Sequence, residues 1–418
     1  MKLTELKLLI QFVRCSLVVL MAVSMLIAHT EAAEFSIKPS IAVSEEFTDN
    51  VFETEVNKRS DFITRAVPGI DLKYKAPVLE WDLGYNFDYR YYIRQTRSDD
   101  NTHYLDTKGH ITLVDNLLFL DVTDNYKRVS LDITRDVTRE SLFVDQSDQN
   151  IVTASPFFVI TPTGQTNMKF GYRYVNTWYK DPAAFDRTDH IGFAEGTYEV
   201  SPKLNVTGGY SFTRDIAAVN DYNKHDAYTW FRYEYADVSF IFGQGGGTWI
   251  KYSNGTTFVA PFWNAGIKHQ FDSFVASANA SVKYYEDPLR RTTQETSYSG
   301  AIDRDFKRGS GGVYVSYAEY VDTETDILQT KSSTAGVRGK YELMNDLVAN
   351  LGFEASRYDH EDTGSYTRRF FVDTGLSYSV AKDLTCSLYY RFIDYYSPVI
   401  VGDNKQINRV ILEFRKTF

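Results

Sequence analysis

The sequence contains little cysteine and, after about its first 30 residues, no long apolar run. Its only two cysteines are Cys15 and Cys386. Because we expect Cys15 to be removed with an N-terminal segment, an internal disulfide is excluded. No later stretch is apolar enough for a transmembrane helix, which needs ~20 residues. The net charge of −10 argues against a nucleic-acid partner.

Motifs of metal and nucleophile catalysis are also missing. The histidines form no H-E-x-x-H pair, and no G-x-S-x-G occurs. His103 and His110 would point to opposite faces of a continuous strand, although histidines from different strands could still meet. Acidic residues at 322–326 and 359–362 offer the oxygens that Ca²⁺ prefers, but solvated loop tips are the favoured interpretation. We expect no catalytic, cofactor-binding or metal-binding residues.

One glycine cluster, at 243–247, could be mistaken for a phosphate loop. Neither a Lys-Ser/Thr pair nor a helix follows it, so a phosphate loop is excluded. Glycines within a strand mark a bulge or a close approach, and we expect one of these here.

The sequence is instead rich in aromatic residues while it is polar on average. It has 31 Tyr and 28 Phe, yet its mean hydropathy is −0.34. Strands with one apolar face and one wet face have this composition.

The first 33 residues have the features of a secretory signal peptide. Basic residues precede an apolar core at 16–28, and Thr30-Glu-Ala32 supplies small residues for a signal peptidase. We expect cleavage after Ala32 or one residue later, which leaves 34–418 as a single domain. Because the apolar core is short for a membrane span, an uncleaved anchor is the weaker alternative.

From Phe35 onward, apolar residues recur at every second position. In the segment 79–93 the odd positions are apolar from Leu79 to Ile93, whereas most even positions are charged or polar. The same period occurs at 204–213, 274–283, 347–356 and 384–392. A strand places alternate side chains on opposite faces. Long alternating strands throughout a chain suit a membrane crossing, which takes ~9–11 tilted residues.

Short connections alternate with longer ones along the chain. Turn-like links lie near 75–77, 114–116, 163–164, 201–203, 236–237, 271–273, 307–309, 345–346 and 381–383. Longer polar links lie at 49–60, 95–102, 126–150, 179–189, 286–296, 321–329, 358–366 and 394–406. Bacterial barrels have short periplasmic turns and longer outer loops. The sequence therefore predicts an all-β fold, a single antiparallel transmembrane β-barrel of about 20 strands (range about 16–20).

Charged residues on the polar faces are expected to project into the lumen. There they could pair across strands or line an aqueous path. A Lys or Arg on the lipid face would cost ~2–4 kcal/mol near the midplane. The lumen-lining candidates are Asp82, Asp88, Arg90, Lys169, Arg173, Lys283, Glu354, Asp373, Arg391, Arg409 and Glu413. The same parity places Cys386 toward lipid.

The last strand of the sequence ends on an aromatic residue. Val410, Leu412, Phe414 and Phe418 share one face. This pattern is similar to the C-terminal signal that the barrel-assembly machinery recognises, although Lys416 departs from it.

Two pairs of segments resemble outer-membrane β-barrel porins associated with exopolysaccharide loci. The first pair is 43–52 (VSEEFTDNVF) with 60–72 (SDFITRAVPGIDL), and the second is 152–160 (VTASPFFVI) with 170–175 (FGYRYV). The resemblance implies an outer-membrane role in or near polysaccharide export and brings no catalytic residues with it.

These features together predict an outer-membrane barrel of a Gram-negative bacterium that passes polar solutes without a cofactor. The expected partners are outer-membrane lipid, lipopolysaccharide, the barrel-assembly machinery and components of polysaccharide export. A plugged barrel that acts as a scaffold or surface receptor is the second alternative. An outer-membrane enzyme is the third.

Overall fold

The described part of the chain folds as twenty consecutive β-strands. A computed structural model describes residues 33–134, 141, 143–286, 288–289, 292–323, 325, 327–361, 363–399 and 404–418. The strands are β1 (Glu34–Thr48), β2 (Asp61–Ala76), β3 (Leu79–Tyr92), β4 (Asp100–Val114), β5 (Leu118–Ser130), β6 (Gln146–Thr163), β7 (Thr166–Tyr179), β8 (Arg187–Ser201), β9 (Leu204–Ala217), β10 (Tyr222–Ala236), β11 (Ser239–Tyr252), β12 (Thr257–Gln270), β13 (Val275–Glu286), β14 (Thr292–Phe306), β15 (Gly309–Asp322), β16 (Ile327–Met344), β17 (Leu347–His360), β18 (Ser365–Ala381), β19 (Leu384–Tyr396) and β20 (Lys405–Thr417). Within these described ranges, no helix is long and apolar enough to cross a membrane.

Each strand pairs antiparallel with the next, and the first strand pairs with the last. The closing ladder between β1 and β20 runs from Ser40, opposite Thr417, to Thr48, opposite Arg409. Closure removes both sheet edges, which is what allows a sheet to exist in lipid. The prediction of a single antiparallel barrel of about 20 strands is thus confirmed. The predicted signal peptide lies outside the described residues, except Ala33 at its boundary.

The connections differ between the two ends of the barrel. All nine predicted short turns occur where the sequence places them, and the longest of them is 271–274. We call this end the turn end and the opposite end the loop end. At the loop end the connections vary from four residues, as at 253–256, to the segment 131–145.

Several loop-end connections are shorter than the sequence predicts. The link expected at 126–150 is reduced to 131–145 because β5 continues to Ser130 and β6 begins at Gln146. Apolar alternation in the sequence ends at the membrane surface, whereas the backbone pairing of the strands continues beyond it into water. The sequence therefore predicts connections that are too long.

Side chains on the two faces of the wall differ as the alternation predicts. In β3, Tyr89 and Tyr91 are 36% and 41% exposed, whereas Asp88 and Arg90 are 1% and 9% exposed. The exposed face carries apolar residues around the whole barrel, as at Val315, Leu351 and Phe414. We call this the outer face, and the face with the charged residues the inner face. An apolar outer face is what a lipid environment requires.

Candidate functional site

All eleven lumen-lining candidates occupy the inner face, and they differ in exposure. Asp88, Arg90 and Arg409 are buried; Lys169, Arg173, Glu354, Asp373, Arg391 and Glu413 are half-buried; Asp82 and Lys283 are exposed. Toward the turn end, inner-face charges such as Lys73, Asp106 and Lys108 are exposed to solvent. The inner face is therefore exposed to solvent at the turn end and more closely packed toward the loop end.

Several candidates pair with charges on neighbouring strands. Asp88 accepts hydrogen bonds from Arg65 at 2.7 and 3.1 Å and from Arg90 at 3.0 Å. Asp373 accepts from Arg391 at 2.6 and 3.0 Å.

Glu354 joins the same pattern through two donors. It accepts from Arg369 on β18 and from the Tyr314 hydroxyl on β15. These pairs tie the wall together from inside, and they leave each buried charge with a partner.

Two cationic candidates lie against aromatic rings instead. The Lys169 Nζ lies 3.8 Å from the centroid of the Phe157 ring, and the Arg173 Cζ lies 5.1 Å from that of Phe193. Such cation–π contacts hold the charges along the wall.

The loop 49–60 folds over the loop end and seals the junction between the first and last strands. Arg409 of β20 contacts Glu53 of this loop at 3.1 Å and Glu46 of β1 at 3.5 Å. Asn50 donates to the carbonyl of Gln406 at 3.1 Å, and Val51 is fully buried. The segment that carries the family resemblance thus closes the barrel in this structure.

The loop 131–145 is described at its two ends, over 131–134 and over 141 and 143–145. Phe143 packs against a cluster of Val51, Ile63 and Tyr92, on the side of β1–β3. Asp132 lies close enough to Tyr320, on the inner face of β15, to interact electrostatically. Strands β5 and β15 are ten positions apart in the barrel. Asp132, which follows β5, therefore lies over the lumen rather than outside the wall.

The β5–β6 hairpin leaves the wall before it reaches this loop. The β4–β5 ladder ends where Leu105 faces Tyr126, whereas the β5–β6 ladder continues to Ser130. Arg128 fills the gap by donating to Asp100 of β4 and to Asp148 of β6, each at 3.0 Å.

A second hairpin, β13–β14, also leaves the wall. The β12–β13 ladder ends where Trp263 faces Val282, although β13 continues to pair with β14 as far as Glu286. Pro261 lies two residues beyond that end and has no amide hydrogen to extend the ladder. The residues 257–262 of β12 and 283–286 of β13 therefore face each other without ladder pairing.

The top of this hairpin contacts strands on the far side of the gap. The Phe185 amide, between β7 and β8, donates to the Pro288 carbonyl, between β13 and β14, at 3.0 Å. The Tyr252 hydroxyl of β11 lies 2.5 Å from the Thr292 hydroxyl of β14. This contact joins two strands that are separated in the sheet by β12 and β13. The hairpin therefore leans inward across the mouth.

A pocket of about 560 Å³, open to the lumen, lies beneath this hairpin. We call it the β8–β14 pocket, and its lining includes Arg187, Lys224, Tyr228, Thr248, Phe262 and Lys283. Its volume falls within the ~300–1,000 Å³ of small-molecule sites.

The two histidines of β4 lie on opposite faces of the wall, as the sequence predicts. His103 lies on the outer face with Phe87, and His110 on the inner face pairs with Asp121 at 2.6 Å. Among the described residues, no group of three or more His, Cys, Asp or Glu could hold a metal. In the acidic segments, the Asp359 carboxylate accepts a hydrogen bond from Arg357, and the Glu361 carboxylate accepts one from Lys331.

Sequence reasoning missed the partners that complete the buried clusters. Glu53 and Arg128 lie in segments taken as polar links, and Arg65 lies in a strand where apolar Phe62 and Ile63 occupy both faces. The parity rule could have found Arg65. Nothing in the local sequence signals the others.

The fold and the apolar outer face define the chain as an outer-membrane β-barrel. No protein-family model matches the sequence, and no curated protein matches it. The fold is similar to the siderophore receptor PirA from Pseudomonas aeruginosa, with 11% identity, a TM-score of 0.51, and coverage of 93% of this chain and 81% of that one. It is also similar to the FrpB iron transporter (F5-1 variant) from Neisseria meningitidis, with 9% identity, a TM-score of 0.53, and coverage of 91% and 82%.

Proposed function

We propose that this barrel is a gated passage for polar solutes across the outer membrane. The observation that carries the proposal is a continuous charged inner face that is open to solvent at the turn end and narrowed at the loop end, where the β13–β14 hairpin leans inward and the β5–β6 hairpin leaves the wall. Charged groups on a pore wall set which solutes pass, and crossing segments set how wide the path is. The parity residues named above are the proposed lining.

The β13–β14 hairpin is the proposed gate. Its free edge at 283–286 faces the free edge of β12 at 257–262. Outward movement would bring these edges closer together and would widen the mouth. It would require the loss of the Phe185–Pro288 contact, which holds the hairpin inward.

A disulfide between residues 185 and 288 tests this gate. Their backbone hydrogen bond places the two Cα atoms near the ~4.4–6.8 Å that a disulfide requires. In a Cys386→Ser background, oxidised Phe185→Cys/Pro288→Cys protein should show only a low conductance in planar bilayers. Reduction should restore transitions to a higher level.

Each single cysteine variant, treated with the same oxidant, is the control and should behave as the Cys386→Ser protein. If the oxidised double variant opens as freely as the controls, the hairpin is not the gate. If the barrel shows no conductance in any state, the passage proposal fails and the plugged scaffold or receptor becomes the better explanation.

We further propose that the solute is linked to polysaccharide export. The support is the resemblance of 43–52 and 60–72 to barrels from exopolysaccharide loci. Deletion of the gene should reduce surface polysaccharide and leave other outer-membrane proteins at normal levels. Normal surface polysaccharide in the deletion strain would contradict the link.

A further inference from the structure

We propose that the β8–β14 pocket binds a small hydroxylated organic monoanion. The proposal deepens the function proposed above, since the pocket lies in the lumen beneath the gate. Three features of its lining carry the inference: its charge balance, a buried hydroxyl and its aromatic rings.

Among the described charged side chains of the pocket, one cation has no anionic partner. Arg187 lies 3.8 Å from Asp189, and Lys224 lies 3.0 Å from Asp226. Lys283 is exposed to the lumen and has no ion pair within the described residues. An ammonium group in this position can form a charge-assisted hydrogen bond with one anionic group of a solute.

A buried hydroxyl in the pocket wall lacks a hydrogen-bond partner among the described residues. Thr248 is 3% exposed, and its Oγ1 makes no hydrogen bond among the described residues. A buried polar atom without a partner is costly, and a ligand hydroxyl could supply the missing bond.

Two aromatic rings of the pocket lie along its wall because glycines make room for them. A Cβ at Gly209 would collide with the Tyr228 ring, and a Cβ at Gly246 would collide with the Phe262 ring. Both rings line the pocket. Together they offer flat apolar surface to a ring-shaped solute. The close approach expected at the glycine cluster thus has a role in this pocket.

Two classes of solute share this chemistry, the sugar acids and the aromatic hydroxy acids. Calorimetric titration of the purified full-length barrel with glucuronate and with 4-hydroxybenzoate distinguishes them. Glucose and 4-hydroxybenzyl alcohol are the matched neutral probes. We expect at least one acid to bind about tenfold more tightly than its neutral counterpart.

The variant Lys283→Gln should weaken binding of that acid about tenfold and leave the neutral probe unchanged. Lys169→Gln is the matched control, because Lys169 is also an inner-face lysine but does not line the pocket. It should bind the acid as the unmodified barrel does.

The variant Thr248→Val provides a second, independent readout. It should weaken acid binding several-fold without lowering the unfolding temperature, because it removes a buried hydroxyl that has no partner among the described residues. A merely structural hydroxyl would lower stability and leave binding unchanged.

The pocket proposal is overturned if neither acid binds, if acid and neutral probes bind equally, or if both lysine variants lose binding alike. Conductance is measured separately, so the two proposals can fail separately. A conducting barrel that binds no acid refutes only the pocket. A barrel that binds the acid but never conducts refutes only the passage.

Discussion

At the scale of single residues, the loop end depends on charges that are removed from water. Arg409 is 2% exposed and lies between the carboxylates of Glu46 and Glu53, which are 3% and 4% exposed. Lys405 adds a contact with Glu53 at 3.7 Å. Removal of any one of these charged side chains should destabilise the barrel, because a remaining charge would then be buried without a partner.

Replacing Arg409 with Met should therefore lower the free energy of unfolding by about 3–5 kcal/mol. Arg415→Met is the matched control on the same strand, because Arg415 pairs with Glu413 where the inner face is open to solvent and should contribute at most ~1 kcal/mol. Urea unfolding, followed by the heat-modifiable mobility of the barrel, measures both. Equal effects of the two variants would contradict the assigned role of the buried cluster.

Parity in the sequence places Arg409 on the inner face but does not identify its partner. Glu53 is 356 residues away along the chain and becomes a neighbour only when the barrel closes. The same holds for Arg128, whose two partners lie on different strands. Ion pairs across a closed sheet depend on register and closure, which no local pattern specifies.

At the scale of elements, each strand is specified by its alternation and by the turn that follows it. The nine short turns occur as predicted because each turn joins two alternating strands. The apolar residues of the second strand must lie on the same side of the wall as those of the first, and this fixes the position of the turn. The loop-end bounds were predicted less well, since polar strand residues above the membrane resemble loop residues in the sequence. The departures of β5–β6 and β13–β14 from the wall were not predicted at all.

Cys386 tests the register of β19. It lies opposite Phe414 of β20 and Tyr378 of β18, which belong to the exposed apolar face. A membrane-soluble maleimide should label it in intact barrels, and a charged, impermeant maleimide should not. Ready labelling by the charged reagent would mean that the strand is shifted by one residue, which moves every side chain to the other face.

At the scale of the whole molecule, the barrel has two unlike ends, and their orientation in the membrane decides how the gate is reached. Short turns face the periplasm in bacterial barrels. This predicts that the β13–β14 gate opens toward the cell surface.

Two single-cysteine variants in a Cys386→Ser background test the orientation. Val56→Cys lies in the loop 49–60 and Val238→Cys in the turn between β10 and β11, and both valines are well exposed, at 67% and 62%. An impermeant maleimide added to intact cells should label the first and spare the second. After the cells are broken, both should react. Selective labelling of Val238→Cys would reverse the orientation.

The roles predicted for two further sets of residues stay predictions. Val410, Leu412, Phe414 and Phe418 are all exposed on the outer face, as a recognition signal for barrel assembly would require. The eleven inner-face candidates have the position of a pore lining, and the conductance and binding experiments decide whether a solute meets them.

By itself the sequence determined that this chain forms a long-stranded barrel with an apolar outside and a charged inside. That information is local, because period-two alternation and turn residues act over a few positions. Only the tertiary structure decided that two hairpins leave the wall and that a pocket lies beneath the β13–β14 hairpin. These features depend on contacts between elements that are not neighbours in the sheet, such as that of Phe185 with Pro288, and such contacts exist only once the barrel has formed.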